Sequence, residues 1–140
     1  MRHTAQGSVR ATPAEVWAVF SDVARWPEWT DTVSDVRLLD GPDLAVGARV
    51  RIVQPRLPTV TWRVDVLDAP RCFSWVAGTP GARARAVHEL APDGQGTRVD
   101  LTIDQTGLSA VFGLLTARLT QDYMDREAVN LARRVEGARA

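Results

Sequence analysis

Three polar side chains fall where an alternating pattern turns them inward: His88, Gln54 and Gln105. His88 belongs to the run Ala84, Ala86, His88 and Leu90, which share one face of a strand by period two. It is the only titratable side chain that this alternation places on the inner face of a central strand. Imidazole suits proton transfer near neutral pH, so His88 is the candidate catalytic acid/base. Hydrogen bonding to a ligand and a purely structural role both stay open for it. Gln54 and Gln105 end their strands on the same face, where an amide either orients a ligand carbonyl or hydroxyl or solvates the strand end. Trp62, Phe73 and Trp75 supply broad aromatic walls, whereas Ala84 and Ala86 remove bulk between them. Large beside small leaves room for a ligand, although alanines equally admit an aromatic ring from a facing helix. No Ser, Cys or Thr pairs with a histidine in a nucleophilic arrangement, and Cys72 alternates away from Phe73 and Trp75 as a small packing residue.

The composition narrows the function classes. Of 140 residues, 45% are hydrophobic and 24% charged, the balance of an ordinary globular chain, and one domain over 1–140 is expected. Seventeen basic residues, all Arg, offset seventeen acidic ones. A neutral chain has no long-range field to gather nucleic acid or an anionic membrane, so no nucleic-acid partner is expected. The missing lysine excludes Schiff-base and P-loop lysine chemistry. One cysteine and two histidines make neither a disulfide framework nor a Cys/His metal site, so no metal and no cofactor is expected. Met1 to Ser8 is polar and no apolar run approaches a membrane span, which gives a cytoplasmic expectation. The Arg and Ala bias suggests a GC-rich bacterial source.

These side chains need elements to hold them. Thr12-Pro13-Ala14-Glu15 is a capping box with Pro at the first helical position, and Val16, Val19 and Phe20 follow on one helical face. A short turn over Asp22 to Trp26 leads to the corner Trp26-Pro27-Glu28-Trp29, which reads as packing or as a cap on a pocket mouth. From Val33 to Gln105 the period is two, punctuated by Gly, Pro and Asp clusters, which predicts five or six antiparallel strands in a meander. Val50, Ile52 and Gln54 share the inner face with Val60, Trp62, Val64 and Val66, and with Val99, Leu101, Ile103 and Gln105. Arg51, Arg63, Arg83, Arg85 and their acidic neighbours face water. A bulge between Gly81 and His88 would exchange Arg83 and Arg85 for His88. After Gly107 the period returns to 3.6, which predicts one long helix with a kink or two packing partners, because its apolar stripe changes direction. Leu108 and Phe112, at its apolar start, are expected as ligand contacts, with a movable lid or a homodimer face as other uses.

The series Ala11-Thr12-Pro13-Ala14-Glu15-Val16-Trp17, Ser21 to Trp29, Val46-Gly47, Pro70 to Trp75 with His88, and Gly96-Thr97-Arg98-Val99 resembles the START-related SRPBCC superfamily. The likeness is to its bacterial polyketide cyclase/dehydrase branch and extends over nearly the whole chain. It implies an α+β helix-grip fold, a curved antiparallel sheet wrapped around a long C-terminal helix with two short helices after the first strand. It also implies a deep pocket for a hydrophobic small-molecule ligand, aromatic or polycyclic, polyketide- or lipid-like. By resemblance the chain is a cyclase/dehydrase of the aromatase/cyclase kind, in which the pocket folds a poly-β-ketone and His88 moves a proton. The alternatives are a non-catalytic carrier or sensor of lipid, sterol or quinone, and a protein-interaction module using the start of the last helix. Ligand contacts on this view are Trp62, Phe73, Trp75, Ala84, Ala86, His88, Gln54, Gln105, Leu108 and Phe112. The Arg and Tyr anchors of aromatase/cyclases are missing from the inner face; the sole tyrosine, Tyr123, sits where the helical stripe turns.

Overall fold

Alternation of period two organises the middle of the chain as expected. A computed structural model describes residues 1–139; the last residue of the expected domain, Ala140, lies outside the described residues. The elements are β1 (Arg2–Val9), α1 (Pro13–Phe20), a 3-10 turn (Val23–Glu28), β2 (Asp35–Leu38), β3 (Arg49–Val53), β4 (Val60–Asp68), β5 (Cys72–Thr79), β6 (Ala82–Asp93), β7 (Gly96–Gly107), α2 (Leu108–Leu115) and α3 (Ala117–Arg139). The strands form one antiparallel sheet in the order β1-β7-β6-β5-β4-β3-β2, so consecutive strands pair from β2 to β7 and β1 closes the far edge against β7. Short connections explain the meander, because antiparallel neighbours need only a tight turn.

Local chemistry starts and stops the elements. The Glu15 N–H donates to Thr12 Oγ1 at 3.2 Å and the Thr12 N–H donates to Glu15 Oε1 at 3.1 Å, the reciprocal capping box that opens α1. Trp26 Nε1 donates to Phe20 O at 2.9 Å and fixes the corner against the end of that helix. Helix α3 buries Met124, Ala128, Leu131 and Val135, spaced by four, three and four residues, so they form one apolar stripe. It lies mainly on β1, where Gly7 admits it closely: a Cβ on Gly7 would stand 3.2 Å from that of Ala128.

Two expectations are corrected. The terminal segment is two helices. Thr116 leaves helical geometry, and both its N–H and its hydroxyl bond to Phe112 O, each at 3.2 Å. The break lets α3 follow its stripe along β1 while α2 turns across the ends of β6 and β7. The second correction concerns Val66, which was expected inward. A bulge between Val64 and Val66 inserts one residue and reverses the alternation, leaving Val66 exposed and bringing Leu67 onto the core opposite Phe73. No such shift occurs in β6, whose register against β5 and β7 runs unbroken. Arg83 and Arg85 therefore stay on the outer face, where Arg85 Nε meets Asp65 at 3.2 Å.

Candidate ligand-binding cavity

The inner face of the β5–β6 pair tapers. At one end stand Phe73 opposite His88 and Trp75 opposite Ala86; at the other, Ala77 faces Ala84 and Thr79 faces Ala82. The first end is solid. Phe20, Trp26, Phe73 and Trp75 surround His88, whose ring stacks on Phe73 with centroids 4.1 Å apart and planes 12° from parallel. His88 Nδ1 lies 3.1 Å from Phe73 O, which can only accept, so Nδ1 carries the proton and donates it. Burial among rings pushes the imidazole down to about 4, overriding the upward pull of that hydrogen bond, and His88 is neutral at pH 7.

At the other end the small residues leave space. A cavity of about 340 Å³ lies between the sheet and the two terminal helices, within the size range of small-molecule sites. Gln54, Val60, Trp62, Ala84, Ile103 and Gln105 form its sheet wall; Phe112 comes from α2; Thr116 from the break; Thr120, Tyr123, Met124 and Glu127 from α3; and Leu57 and Pro58 from the loop after β3. Of the residues expected to contact a ligand, Gln54, Trp62, Ala84, Gln105 and Phe112 line it. Phe73, Trp75, Ala86 and His88 do not, because aromatic packing fills their end of the face. Leu108 is also absent from the wall; it sits at the first turn of α2, 72% exposed. The expectation that His88 looks into the hollow is thus corrected.

The side chain that sequence reasoning missed is Glu127. It lines the cavity in the stripe between Met124 and Leu131, at i+3 and i−4, and among the described residues its carboxyl has no hydrogen bond or ion pair. Burial alone pushes it up to about 8. The signal was present in the sequence as a charged interruption of an apolar helical face. Around it, Tyr123 Oη donates to Pro55 O at 2.5 Å, tying α3 to the loop at the cavity edge. Gln105 Oε1 is buried without a donor and packs against Gly113, where an added Cβ would collide with that oxygen. No Arg, Lys or His belongs to the wall. Among the described residues no cluster of His, Cys, Asp or Glu is arranged to hold a metal, and no helix is long and apolar enough to cross a membrane.

A curved sheet gripping a terminal helix over a cavity defines the helix-grip class. The model of the polyketide cyclase / dehydrase and lipid transport family matches residues 2–136, and the chain belongs to that family. Comparison with curated proteins gives no match. Among solved structures, TTHA0849 from Thermus thermophilus is similar over 100% of both chains, with 20% identity and a TM-score of 0.77. The KanY protein, solved in solution by NMR, is similar over 98% of both chains with 24% identity and a TM-score of 0.72. A point mutant of norcoclaurine synthase from Thalictrum flavum, solved with a transition-state analogue, covers 100% of this chain and 96% of its own, at 11% identity and a TM-score of 0.73. At these identities the likeness is one of fold alone.

Proposed function

We propose that the protein binds a hydrophobic small molecule with an aromatic or polycyclic body in this cavity and holds it without transforming it, as a carrier or sensor. The observation that carries the reading is the cavity itself, walled by Trp62, Phe112, Ile103 and Met124 at one end of an otherwise solid core. Without a guest, water wets the side chains of Trp62, Phe112, Ile103 and Met124, and a hydrophobic guest removes that apolar surface from water. A guest that fills it should therefore raise the melting temperature. A catalyst of enolisation also needs strong donors at the developing oxyanion, and the wall offers no cationic one.

The test uses 2-naphthylmethanol, a neutral bicyclic probe, with calorimetric titration and thermal melting. Saturable 1:1 uptake with a raised Tm is expected for the native chain, and loss of uptake for Ala84→Phe, which puts a ring into the space. Absence of uptake by the native chain overturns the reading.

Glu127 favours a second reading, a cyclase or dehydratase. A carboxyl facing the cavity with a proton affinity close to neutrality is suited to exchange a proton with a bound poly-β-ketone, the role first assigned to His88. Single-turnover aldol condensation or dehydration of such a substrate, lost in Glu127→Gln with binding retained, would establish it in place of the carrier.

A further inference from the structure

The polar groups of the cavity are unevenly supplied. Three other carboxylates of α3 have partners: Asp122 meets Arg126 at 3.1 Å, Asp125 accepts from Gln121 at 3.0 Å, and Glu136 accepts from the Arg10 N–H at 2.9 Å. Glu127 has none, in a chain with seventeen arginines, and the helix's Arg126 and Arg134 reach outward to Asp31 and Glu28 instead. Two hydroxyls on the wall have already committed their hydrogens, Tyr123 to Pro55 O and Thr116 to Phe112 O, so each presents an oxygen that can only accept. Gln105 Oε1 is a further acceptor without a donor. The wall thus combines one carboxyl, these acceptors, the neutral amides and hydroxyls of Gln54, Gln105, Ser109 and Thr120, the aromatic side chains of Trp62, Phe112 and Tyr123, and no basic side chain. Carboxylate plus aromatic faces is the composition that attracts an organic cation.

Building on the binding reading above, we infer that the cavity selects a guest with a protonated amine, its nitrogen paired with Glu127 and its hydrocarbon body against Trp62 and Phe112. An anionic guest such as a fatty acid would bring a second carboxylate beside the first, with no cation on the wall to meet it. A neutral ketone would accept a hydrogen bond from protonated Glu127, yet it would bring no donor to Gln105 Oε1, Tyr123 Oη or Thr116 Oγ1. An ammonium brings donors and positive charge together.

Pairing also has a proton signature. Glu127 holds its proton at pH 7 when unpaired, since burial raises it to about 8. An incoming ammonium requires the carboxylate, so that proton leaves to solvent as the ion pair forms. The other titratable groups that face inward from the packed elements are Tyr123 on α3, His3 on β1 and His88 on β6, while those of the outer strand face, Arg51, Arg63, Arg83, Arg85 and Asp104 among them, point away. Of these only Tyr123 is on the cavity wall, and its hydrogen is held by Pro55 O. Asp125 and Arg126, beside Glu127 in sequence, engage Gln121, Asp122 and Asp31, and the Arg126 guanidinium stands 5.7 Å from the centre of the Tyr123 ring.

The experiment titrates the native chain with four probes of one shape: 2-naphthylmethylamine, 2-naphthylmethanol, 2-acetylnaphthalene and 2-naphthoate. Calorimetry in buffers of different ionisation enthalpy reads affinity and proton release together. The amine is expected to bind about tenfold or more tighter than the alcohol, as a charge-assisted pair would give, with release of close to one proton at pH 7. Glu127→Gln is expected to bring the amine-to-alcohol ratio to about one and to abolish the release. Equal binding of amine and alcohol, tightest binding of the ketone or the naphthoate, or an amine preference that survives Glu127→Gln overturns the inference while uptake of the alcohol still upholds the binding reading. If none of the four binds, both fall.

Discussion

His88 and Glu127 are both single titratable groups drawn into the space between sheet and helices, yet their surroundings differ in kind. His88 has a backbone acceptor at 3.1 Å and rings on several sides, so the imidazole is enclosed by protein. Glu127 is half-buried, with a cavity in front of it and no protein partner. Burial shifts both toward the neutral form, the imidazole down to about 4 and the carboxyl up to about 8. What separates structure from candidate function here is the presence of unfilled polar capacity beside unfilled volume. Inward orientation alone does not make the distinction.

The contrast can be broken most forcefully at Glu127. A carboxyl whose folded value is raised from 4.5 to about 8 favours the folded state at low pH, and that advantage is lost as pH rises from about 4.5 to about 8. Water reaching the cavity reduces the penalty, so about 5 kcal/mol is its upper bound. Urea unfolding as a function of pH should show Glu127→Gln gaining on the native chain by a few kcal/mol across that window. A constant difference between the two would mean that Glu127 is solvated and the contrast false.

Next in size is a comparison of the two aromatic settings. Phe73→Ala removes a fully buried ring that stacks on His88 and should cost about 3 to 5 kcal/mol in urea unfolding. Trp62→Ala, on the cavity wall and only partly buried, should cost less than half as much. Equal costs would show that both ends of the taper are packed alike.

His88 itself is expected to act in the opposite direction to Glu127. Its folded value lies below the ordinary one, so its contribution is complete above about 6.5 and is lost as pH falls toward about 4, to the extent of about 3 kcal/mol. His88→Phe should flatten this acid limb, measured as stability relative to the native chain between pH 6.5 and 4. In the native chain the two groups oppose one another between about 4.5 and 6.5, so the variants separate what the native curve conceals. Leu115→Ser, 82% exposed on α2, should change stability by no more than about 0.5 kcal/mol.

Much of the frame was legible because its signals are periodic or local. The capping box at Thr12, the stripe of Met124, Ala128, Leu131 and Val135, and the inward set of β6 and β7 each follow from spacing alone. The site was half legible for a definite reason. Alternation says which face a residue occupies, and it placed Trp62, Ala84 and Gln105 beside His88 and Phe73 correctly in that sense. It carries no information on where along the face the volume is filled, which depends on Phe20 and Trp26 arriving from the α1 corner. Glu127 lies on α3, where it interrupts an apolar row, outside the strand faces that alternation describes. The turn of the apolar stripe between Leu119 and Met124 marks a change of packing partner but not the break at Thr116, and the bulge after Val64 has no mark in the sequence that period two could register.

Of the two terminal helices, α3 carries both core and cavity residues, Glu127 among them, whereas α2 carries almost none of the core. Helix α3 supplies the stripe that seals the core along β1, so its residues answer to the stability of the whole. Helix α2 gives the cavity Ser109 and Phe112 and buries little of its remaining apolar surface. If the proposed binding holds, exchanging its side chains would change which guests are admitted while the gripped core stands unchanged, so these eight residues are the least costly place to retune the cavity.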